Sequence, residues 1–218
     1  YGGFETDPRW QGYGIPPTSN ANYAWILHIL NKLNVSRGIA GFLLANGALD
    51  DSDTLEIRKK LIESDKVEAI IVLPRNMFYS TDISVTLWIL NNNKKGGPWH
   101  GRQLRNRTGE ILFIDLRTWN SNIYEKKYVR LAEADIDRVR QIYFNWQTEN
   151  FVEYAESELY YAARRDEIQK KGYSLVPSRY IEFIDLDTEI DYQSALSEMS
   201  HKFDALKKRW DANETELV

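Results

Sequence analysis

The sequence predicts a mixed α/β fold whose sheet is mostly parallel and contains an antiparallel strand. Two near-continuous apolar runs of strand length, GIAGFLLA at 38–45 and VEAIIVL at 67–73, are typical of strands buried on both faces. Between them, residues 53–64 open with an acidic residue and place apolar residues at helical spacing. A third run at 83–91 follows the second too closely for a crossover, so it should return antiparallel.

The loop at 74–82 connects the second and third of these strands. It carries two neighbouring aromatic residues, Phe78 and Tyr79. Open α/β sheets bind ligands outside the carboxyl ends of their parallel strands, and this loop leaves such an end. The sequence therefore predicts that the loop faces a ligand.

The residues before the sheet divide into an arm and a helix. Residues 1–21 are rich in glycine, proline and polar side chains and have no periodicity, which indicates a loop or arm. From Asn22 onward, apolar residues recur with a period near 3.6, which predicts a helix. This helix opens the region 22–118, which holds the predicted sheet and the further strand ILFIDLR.

The residues after the sheet are predicted to be helical. Residues 119–185 form an extension with one helix in EADIDRVRQIYFNWQ and a second in SELYYAARRDEIQKKG, which ends at Gly172. Residues 186–218 contain the most regular helix of the chain. Its apolar residues are spaced four, three, four, three and four apart, the narrow heptad seam of a docking helix: Tyr192, Leu196, Met199, Phe203, Leu206 and Trp210.

The composition excludes several classes of site. The chain has 218 residues, no cysteine, three scattered histidines and a formal net charge of −4. Disulfides, thiolate nucleophiles and zinc–thiolate sites are thereby excluded, and no metal site is predicted. No apolar run is long enough to span a membrane and no signal peptide is visible, so we expect a cytoplasmic location without membrane association.

A polar loop between Asn92 and Gly109 is rich in basic residues. Arg102, Arg105 and Arg107 follow two lysines, and no acidic residue comes before Glu110. One interpretation is a solvated hairpin tip. The other is a loop that contacts DNA phosphates, because lysine and arginine on loops supply the sequence-independent part of DNA affinity. The sequence does not decide between the two.

Several ordered segments resemble the modification subunit of type I restriction-modification systems, a family of N6-adenine DNA methyltransferases. They are NANYAWILHILNKL, GIAGFLLANGAL, TLEIRKKLIESDKVEAIIVLP and NMFYSTDISVTLWILNNNK, followed by ILFIDLR, EADIDRVRQIYFNW and SLVPSRYI. The resemblance covers about four-fifths of the chain. It implies the second half of a Rossmann-like methyltransferase sheet followed by a helical C-terminal extension.

The resemblance also implies what this sequence lacks. In the family, a glycine-containing strand–turn–helix binds S-adenosylmethionine, and an Asn-Pro-Pro-Phe motif polarises the adenine amino group. Both lie upstream of the segment that this chain resembles, and neither occurs in it. We therefore expect the chain alone to be inactive, with an incomplete site for S-adenosylmethionine.

Four residues take site roles from the resemblance. Phe78 and Tyr79 match the loop that closes over the flipped target base, where an aromatic ring stacks on the extruded adenine. The alternative for Phe78 is a side chain that plugs the core under the loop. Asn22 and Tyr23 match the segment at the edge of the cofactor pocket.

The resemblance implies DNA as a partner, together with the specificity and restriction subunits of the same system. The heptad seam of the C-terminal helix, which ends in Trp210, would bind the specificity subunit. A half sheet also exposes surface that invites self-association. Two alternatives stay open: a non-catalytic interaction module that docks through the C-terminal helix, and a methyltransferase acting on RNA or protein.

Overall fold

Apolar strands form the centre of the fold, as the sequence predicts. The computed structural model describes residues 4–121, 123–124, 127–148, 154–184 and 192–216. These belong to two units, Tyr1–Phe183 and Ile184–Val218. The strands are β1 (Ile39–Ala45), β2 (Val67–Val72), β3 (Val85–Asn91), β4 (Gly97–Trp99), β5 (Arg102–Leu104), β6 (Glu110–Asp115), β7 (Ile123–Tyr124), β8 (Tyr128–Val129), β9 (Ala155–Glu156) and β10 (Tyr160–Arg164).

The helices of the first unit surround this sheet, and one long helix forms the second unit. The bounds are α1 (Asn22–Lys32), α2 (Leu55–Glu63), α3 (Glu133–Trp146), α4 (Arg165–Lys170) and α5 (Tyr192–Glu216). Among the described residues, none of these helices is both long and apolar enough to cross a bilayer.

The central sheet has the strand order β1-β3-β2-β6-β10-β9. Strand β3 lies between β1 and β2 and is antiparallel to both, so the predicted antiparallel return is confirmed. Strands β1, β2 and β6 consequently run in one direction, and β2 and β6 are parallel neighbours. Strand β10 adds to β6 and β9 adds to β10, both antiparallel. The mixed α/β class is confirmed.

Helices cover the two faces of the sheet unequally. On one face α1 and α2 pack against Trp88, Leu90 and other apolar residues of the strands. On the opposite face α3 packs Ile142 and Trp146 against β2 and β6. Strand β2 lies between the two helical layers and is buried at every residue. This confirms the burial on both faces that its apolar run predicts.

Strand β1 is less covered than its apolar sequence predicts. It is the edge strand of the described sheet, and its residues alternate between exposed and half-buried. Ile39 and Leu43 are each 46% exposed. The prediction of burial on both faces is therefore wrong for β1 in this chain, because α1 packs on one side only and no described strand pairs with the outer edge.

We expect the 218-residue chain to self-associate through this apolar edge. The unpaired backbone groups of β1 can form hydrogen bonds with a second copy, and the exposed Leu43 can pack against it. Leu43→Lys should shift sedimentation-velocity profiles toward monomer. Val35→Lys is the matched control, because Val35 is 87% exposed and lies outside the strand. Equal profiles for the two variants, or a monomeric parent chain, would contradict the expectation.

The prediction of a second helix over residues 157–172 is wrong for the first half of that segment. Residues 160–164 form strand β10, and only the short helix α4 follows. Alanine and arginine favour helix intrinsically, but Tyr160 and Ala162 pack on one face of the sheet while Ala163 packs on the other. The segment predicted as a helical extension thus supplies strands to the main sheet, because two-sided burial outweighs local propensity.

A buried charge network joins β2, the basic loop and α3. Glu68 and Arg107 are both fully buried, and their charged atoms lie 3.1 Å apart. Gln147 Nε2 also donates to Glu68 Oε1 at 2.9 Å, and the Tyr143 hydroxyl donates to it at 3.3 Å. The other carboxylate oxygen, Glu68 Oε2, has no hydrogen-bond partner in the described part of the chain.

Lys94, close to this network, gives the free energy of unfolding a dependence on pH. Its ammonium is buried and donates to the Val67 carbonyl at 2.8 Å. Burial lowers its pKa from 10.5 to about 8. Between these values the unfolded chain binds more protons than the folded chain, so the free energy of unfolding should rise with pH. We expect a rise of about 1.5 kcal/mol from pH 8 to pH 9.5.

Urea unfolding at a series of pH values measures this rise. Lys94→Met, which removes the titrating group, should give a flatter dependence over the same window. The window stops below pH 10, where buried tyrosines such as Tyr23 would begin to oppose the trend. Equal slopes for the two chains would show that Lys94 is not responsible.

Candidate functional site

The carboxyl ends of three strands meet at one edge of the sheet. Strands β1, β2 and β6 run in one direction, so Asn46, the loop at 74–84 and Asp115 all lie at this edge. Ligands of open α/β sheets bind at such an edge. The predicted ligand-facing loop therefore has the expected location.

The loop at 74–84 is fixed at its base and on one side. Ser84 Oγ donates to the Leu73 carbonyl at 2.7 Å, and Arg75 forms an ion pair with Asp82 at 2.9 Å. The Asn76 carbonyl accepts a bond from the backbone N–H of Val129 in β8 at 2.9 Å. These bonds give the loop a defined path beyond the end of β2.

The aromatic residues of the loop differ in exposure. Phe78 is half-buried, whereas Tyr79 is 67% exposed. The Tyr79 ring lies 4.5 Å from the ring of Tyr128, whose hydroxyl donates to the Tyr79 carbonyl at 3.3 Å. The loop thus places Phe78 and Tyr79 at this edge, and the Tyr128 ring supports Tyr79. Tyr128 was not predictable from the sequence, because it lies about 50 residues later in a polar segment without a periodic signal.

Asp115 ends β6 beside the loop, and Arg117 neutralises its charge. The carboxylate is 4% exposed and accepts bonds from the backbone N–H and the guanidinium of Arg117 at 2.6–3.1 Å. The same contacts raise the pKa of Arg117. Because both carboxylate oxygens accept bonds from Arg117, Asp115 fixes the backbone where β6 ends. An aspartate at the end of the apolar run ILFID was a readable signal for this position.

The two residues predicted for the cofactor pocket lie at the start of α1. Tyr23 is fully buried, its hydroxyl donates to the Ala48 carbonyl at 2.8 Å, and its ring meets Trp88 edge-on. Burial raises the pKa of Tyr23 to about 12. Asn22 is half-buried, and its backbone N–H donates to Asn20 Oδ1 at 3.0 Å. Tyr23 therefore packs in the core with its polar group satisfied, and the pair does not fit S-adenosylmethionine as a complete site.

The three arginines of the basic loop have different surroundings. Arg107 is fully buried against Glu68, so its guanidinium cannot reach a phosphate at the surface. Arg105 is mostly buried and forms two bonds with the carboxylate of Glu110, at 3.1 and 2.6 Å. Arg102 is half-buried, and its guanidinium lies 3.9 Å from the centre of the Phe144 ring. The loop is therefore neither a fully solvated tip nor a uniform row of phosphate contacts.

The predicted heptad seam lies on α5 in the second unit. The helix itself is confirmed over Tyr192–Glu216. The seam residues whose surroundings are described are 64–69% exposed within this chain: Leu196, Met199, Phe203, Leu206 and Trp210. A row of large apolar side chains this exposed is unusual for a folded protein surface.

Known proteins similar to this chain agree on one family. The family model N-6 DNA Methylase matches residues 2–189. The type I restriction enzyme HindI methylase subunit of Haemophilus influenzae is 36% identical over 178 residues, which cover 80% of this chain and 37% of that protein. The type I restriction enzyme MjaIX methylase subunit of Methanocaldococcus jannaschii is 33% identical over 206 residues, covering 92% of this chain and 34% of the relative.

A solved structure supports the same assignment. The methyltransferase subunit of a type I restriction-modification system from Streptococcus thermophilus superimposes with a TM-score of 0.68 at 26% identity, covering 84% of this chain and 35% of that one. The chain thus spans about a third of the length of the relatives it matches. A family match across most of the chain, with the same fold in a solved relative, shows that this protein belongs to the N-6 DNA methylase family.

Proposed function

We propose that this chain is the C-terminal part of a type I methylase subunit that transfers a methyl group from S-adenosylmethionine to adenine N6 in DNA. The observation that carries the proposal is the location of the Phe78–Tyr79 loop at the carboxyl edge of the sheet, in a chain whose residues 2–189 match the N-6 DNA methylase family. The chain contributes a wall of the target-base pocket and surfaces for assembly.

The proposed role of the loop follows from the chemistry of duplex DNA. An enzyme that modifies a base must extrude it from the stack, and an aromatic ring recovers part of the unstacking cost. Such stacking contributes about 1–3 kcal/mol per base. Phe78 is the proposed stacking ring, and Tyr79, supported by Tyr128, closes the side of the pocket.

The reacting groups are proposed to come from outside these 218 residues. The sequence contains no Asn-Pro-Pro-aromatic motif, and the buried Tyr23 leaves the cofactor pocket without one of its two predicted wall residues. When bound, S-adenosylmethionine supplies the methyl group. The residues described here orient the base and exclude water, and the chain alone is proposed to be inactive.

Nucleoside analysis tests the proposed reaction. A methylase subunit of the relatives' length that contains this chain is assembled with its specificity subunit and incubated with duplex DNA and S-adenosylmethionine. Digestion and mass spectrometry should give N6-methyladenine. Methyl groups found on cytosine, on RNA or on protein instead would overturn the proposal and favour the other substrate classes.

The exposed seam on α5 is the proposed contact with the specificity subunit. The relatives are themselves called subunits of type I restriction enzymes, so they act within assemblies. DNA and the restriction subunit are the further proposed partners, in the cytoplasm. Of the three arginines of the basic loop, we propose only Arg102 as an accessible phosphate contact.

Two aromatic truncations test the seam. Phe203→Ala and Trp210→Ala should each weaken binding of the specificity subunit about 30-fold, the loss of about 2 kcal/mol expected for an aromatic anchor. His201→Ala is the control, because His201 lies on the opposite side of the helix from the seam. Titration calorimetry measures the affinities, and circular dichroism checks that helix content is unchanged. Affinities for all three variants within twofold of the parent chain would remove the seam from the interface.

The exposed seam also supports a second candidate, a non-catalytic module that only docks partners through α5. The two candidates differ in their expected outcome in the nucleoside analysis. An assembled subunit that binds its partner normally and leaves DNA unmethylated would favour the docking module.

A further inference from the structure

A cavity of about 280 Å³ lies between the β4–β5 hairpin and the C-terminal turn of α3. Its wall also includes Ile39 and Asn91, which pair across the start of β1 and the end of β3. The cavity is therefore at the amino edge of the sheet, opposite the Phe78–Tyr79 loop. The hairpin that forms one wall turns at His100 and Gly101, both with positive φ, as a tight two-residue turn requires.

Aromatic rings from two separate elements line this cavity. The hairpin contributes Trp99 with His100 edge-on at 4.6 Å, and α3 contributes Tyr143 and Phe144. Planar ligands gain affinity by stacking on such rings. The wall composition therefore favours a flat ring system as the occupant.

Two arginines line this cavity, and neither is neutralised by a described carboxylate. Within the described ranges, Arg37 and Arg102 form no ion pair. The Arg102 guanidinium donates to the Phe144 carbonyl at 3.1 Å and lies over the Phe144 ring, so it is held in place with donors to spare. No described aspartate or glutamate lines the cavity. The positive charge of the two arginines is therefore complementary to an anion.

Buried amides supply hydrogen-bonding groups to the same cavity. Asn91 Oδ1 accepts from the backbone N–H of Asn93 at 2.7 Å, and Gln147 Nε2 donates to Glu68. Each amide therefore keeps one atom, Asn91 Nδ2 and Gln147 Oε1, without a partner among the described residues. One is a donor and the other an acceptor, the combination that the edge of a nucleobase requires.

From these groups together we infer that the cavity binds one nucleotide, with its base against Trp99 and its phosphate at Arg37 and Arg102. The volume of about 280 Å³ is just below the range of about 300–1,000 Å³ that is usual for ligand pockets, so it suits one base with the phosphate at the mouth. A free mononucleotide and a nucleotide within a single strand share this chemistry. The inference does not depend on the methyl-transfer reaction.

Titration calorimetry of the 218-residue chain tests the inference with AMP, adenosine and inorganic phosphate as separate probes. AMP should bind saturably at one site. Adenosine and phosphate should bind at least tenfold more weakly, because each offers only part of the contacts. Trp99→Ala and Arg102→Gln should each raise the dissociation constant for AMP about tenfold, equivalent to about 1.4 kcal/mol.

Arg140→Gln is the matched control, since Arg140 lies on α3, is exposed and pairs with Asp137. It should leave AMP binding unchanged. A short single-stranded oligonucleotide distinguishes the two sources of the nucleotide. If it binds more tightly than AMP and Trp99→Ala abolishes that binding, the ligand is a nucleotide within a strand. If it binds more weakly than AMP, the ligand is a free nucleotide.

Absence of saturable binding by AMP and by the oligonucleotide would overturn the inference. Binding that Arg102→Gln and Arg140→Gln weaken equally would do the same. If Trp99→Ala does not fold, Arg37→Gln replaces it, because Arg37 is exposed and outside the hairpin.

Discussion

Phe78→Ala should slow DNA methylation about 5- to 150-fold in a methylase subunit of the relatives' length that contains this chain. The expected loss follows from the 1–3 kcal/mol that a stacked ring contributes per extruded base. Phe78 is only half-buried, so its truncation should leave the fold in place. Single-turnover methylation rates measure the effect. A duplex with 2-aminopurine at the target position reports extrusion, and its fluorescence increase should be smaller in the variant.

Trp25→Ala is the matched control for this prediction. Trp25 is 59% exposed and lies on α1, so it is an accessible aromatic side chain outside the loop. Its loss should leave the rate unchanged. A rate for Phe78→Ala within twofold of the parent subunit, with normal extrusion, would assign Phe78 to the core beneath the loop.

Arg107→Ala should remove a large share of the stability of the first unit. Arg107→Ala leaves Glu68 as a buried, uncompensated carboxylate, since both side chains are fully buried. Removing one partner of a buried pair costs about 3–5 kcal/mol, a large part of the roughly 5–15 kcal/mol that stabilises a domain. Urea unfolding of the 218-residue chain measures the loss.

The double substitution and an exposed pair provide the controls. Glu68→Leu combined with Arg107→Met removes both charges and should cost much less than the sum of the single losses. Arg138→Ala breaks the exposed pair with Glu156 and should cost about 0–1 kcal/mol. If Arg107→Ala costs no more than Arg138→Ala, the buried pair contributes little and the role assigned to it is wrong.

The main strands were predictable because each carries its own signal. The apolar runs that form β1, β2 and β3 have strand length, and the short 73–84 connection permits only an antiparallel return. The helix α5 was predictable for a similar reason, because its heptad spacing persists over six apolar residues. In both cases the period lies within the segment itself.

Features created by distant partners were not predictable in this way. Tyr160 to Arg164 becomes a strand because β6 pairs with it, although its alanines favour a helix. Arg107 looks solvated in its polar loop, but it is buried because Glu68, 39 residues earlier, needs a cation. An acid inside the apolar run VEAIIV was a readable signal that some buried partner exists. Its identity depends on the folded chain.

The candidate site was predictable in location rather than in detail. The rule for open α/β sheets places the loop at 74–84 correctly. The rule does not reveal that Tyr128 supports Tyr79, or that the Tyr23 hydroxyl donates a hydrogen bond to the Ala48 carbonyl. Both are contacts between segments that are far apart in sequence.

Methyl transfer by the 218-residue chain alone tests the central claim most directly. The chain is incubated with adenine-containing duplex DNA and labelled S-adenosylmethionine, beside a subunit of the relatives' length that contains it, each with the specificity subunit. We expect N6-methyladenine from the longer subunit and none above background from the chain alone, because the proposed function assigns the base-facing wall to the chain and the reacting groups to residues outside it. N6-methyladenine produced by the chain alone would contradict this account.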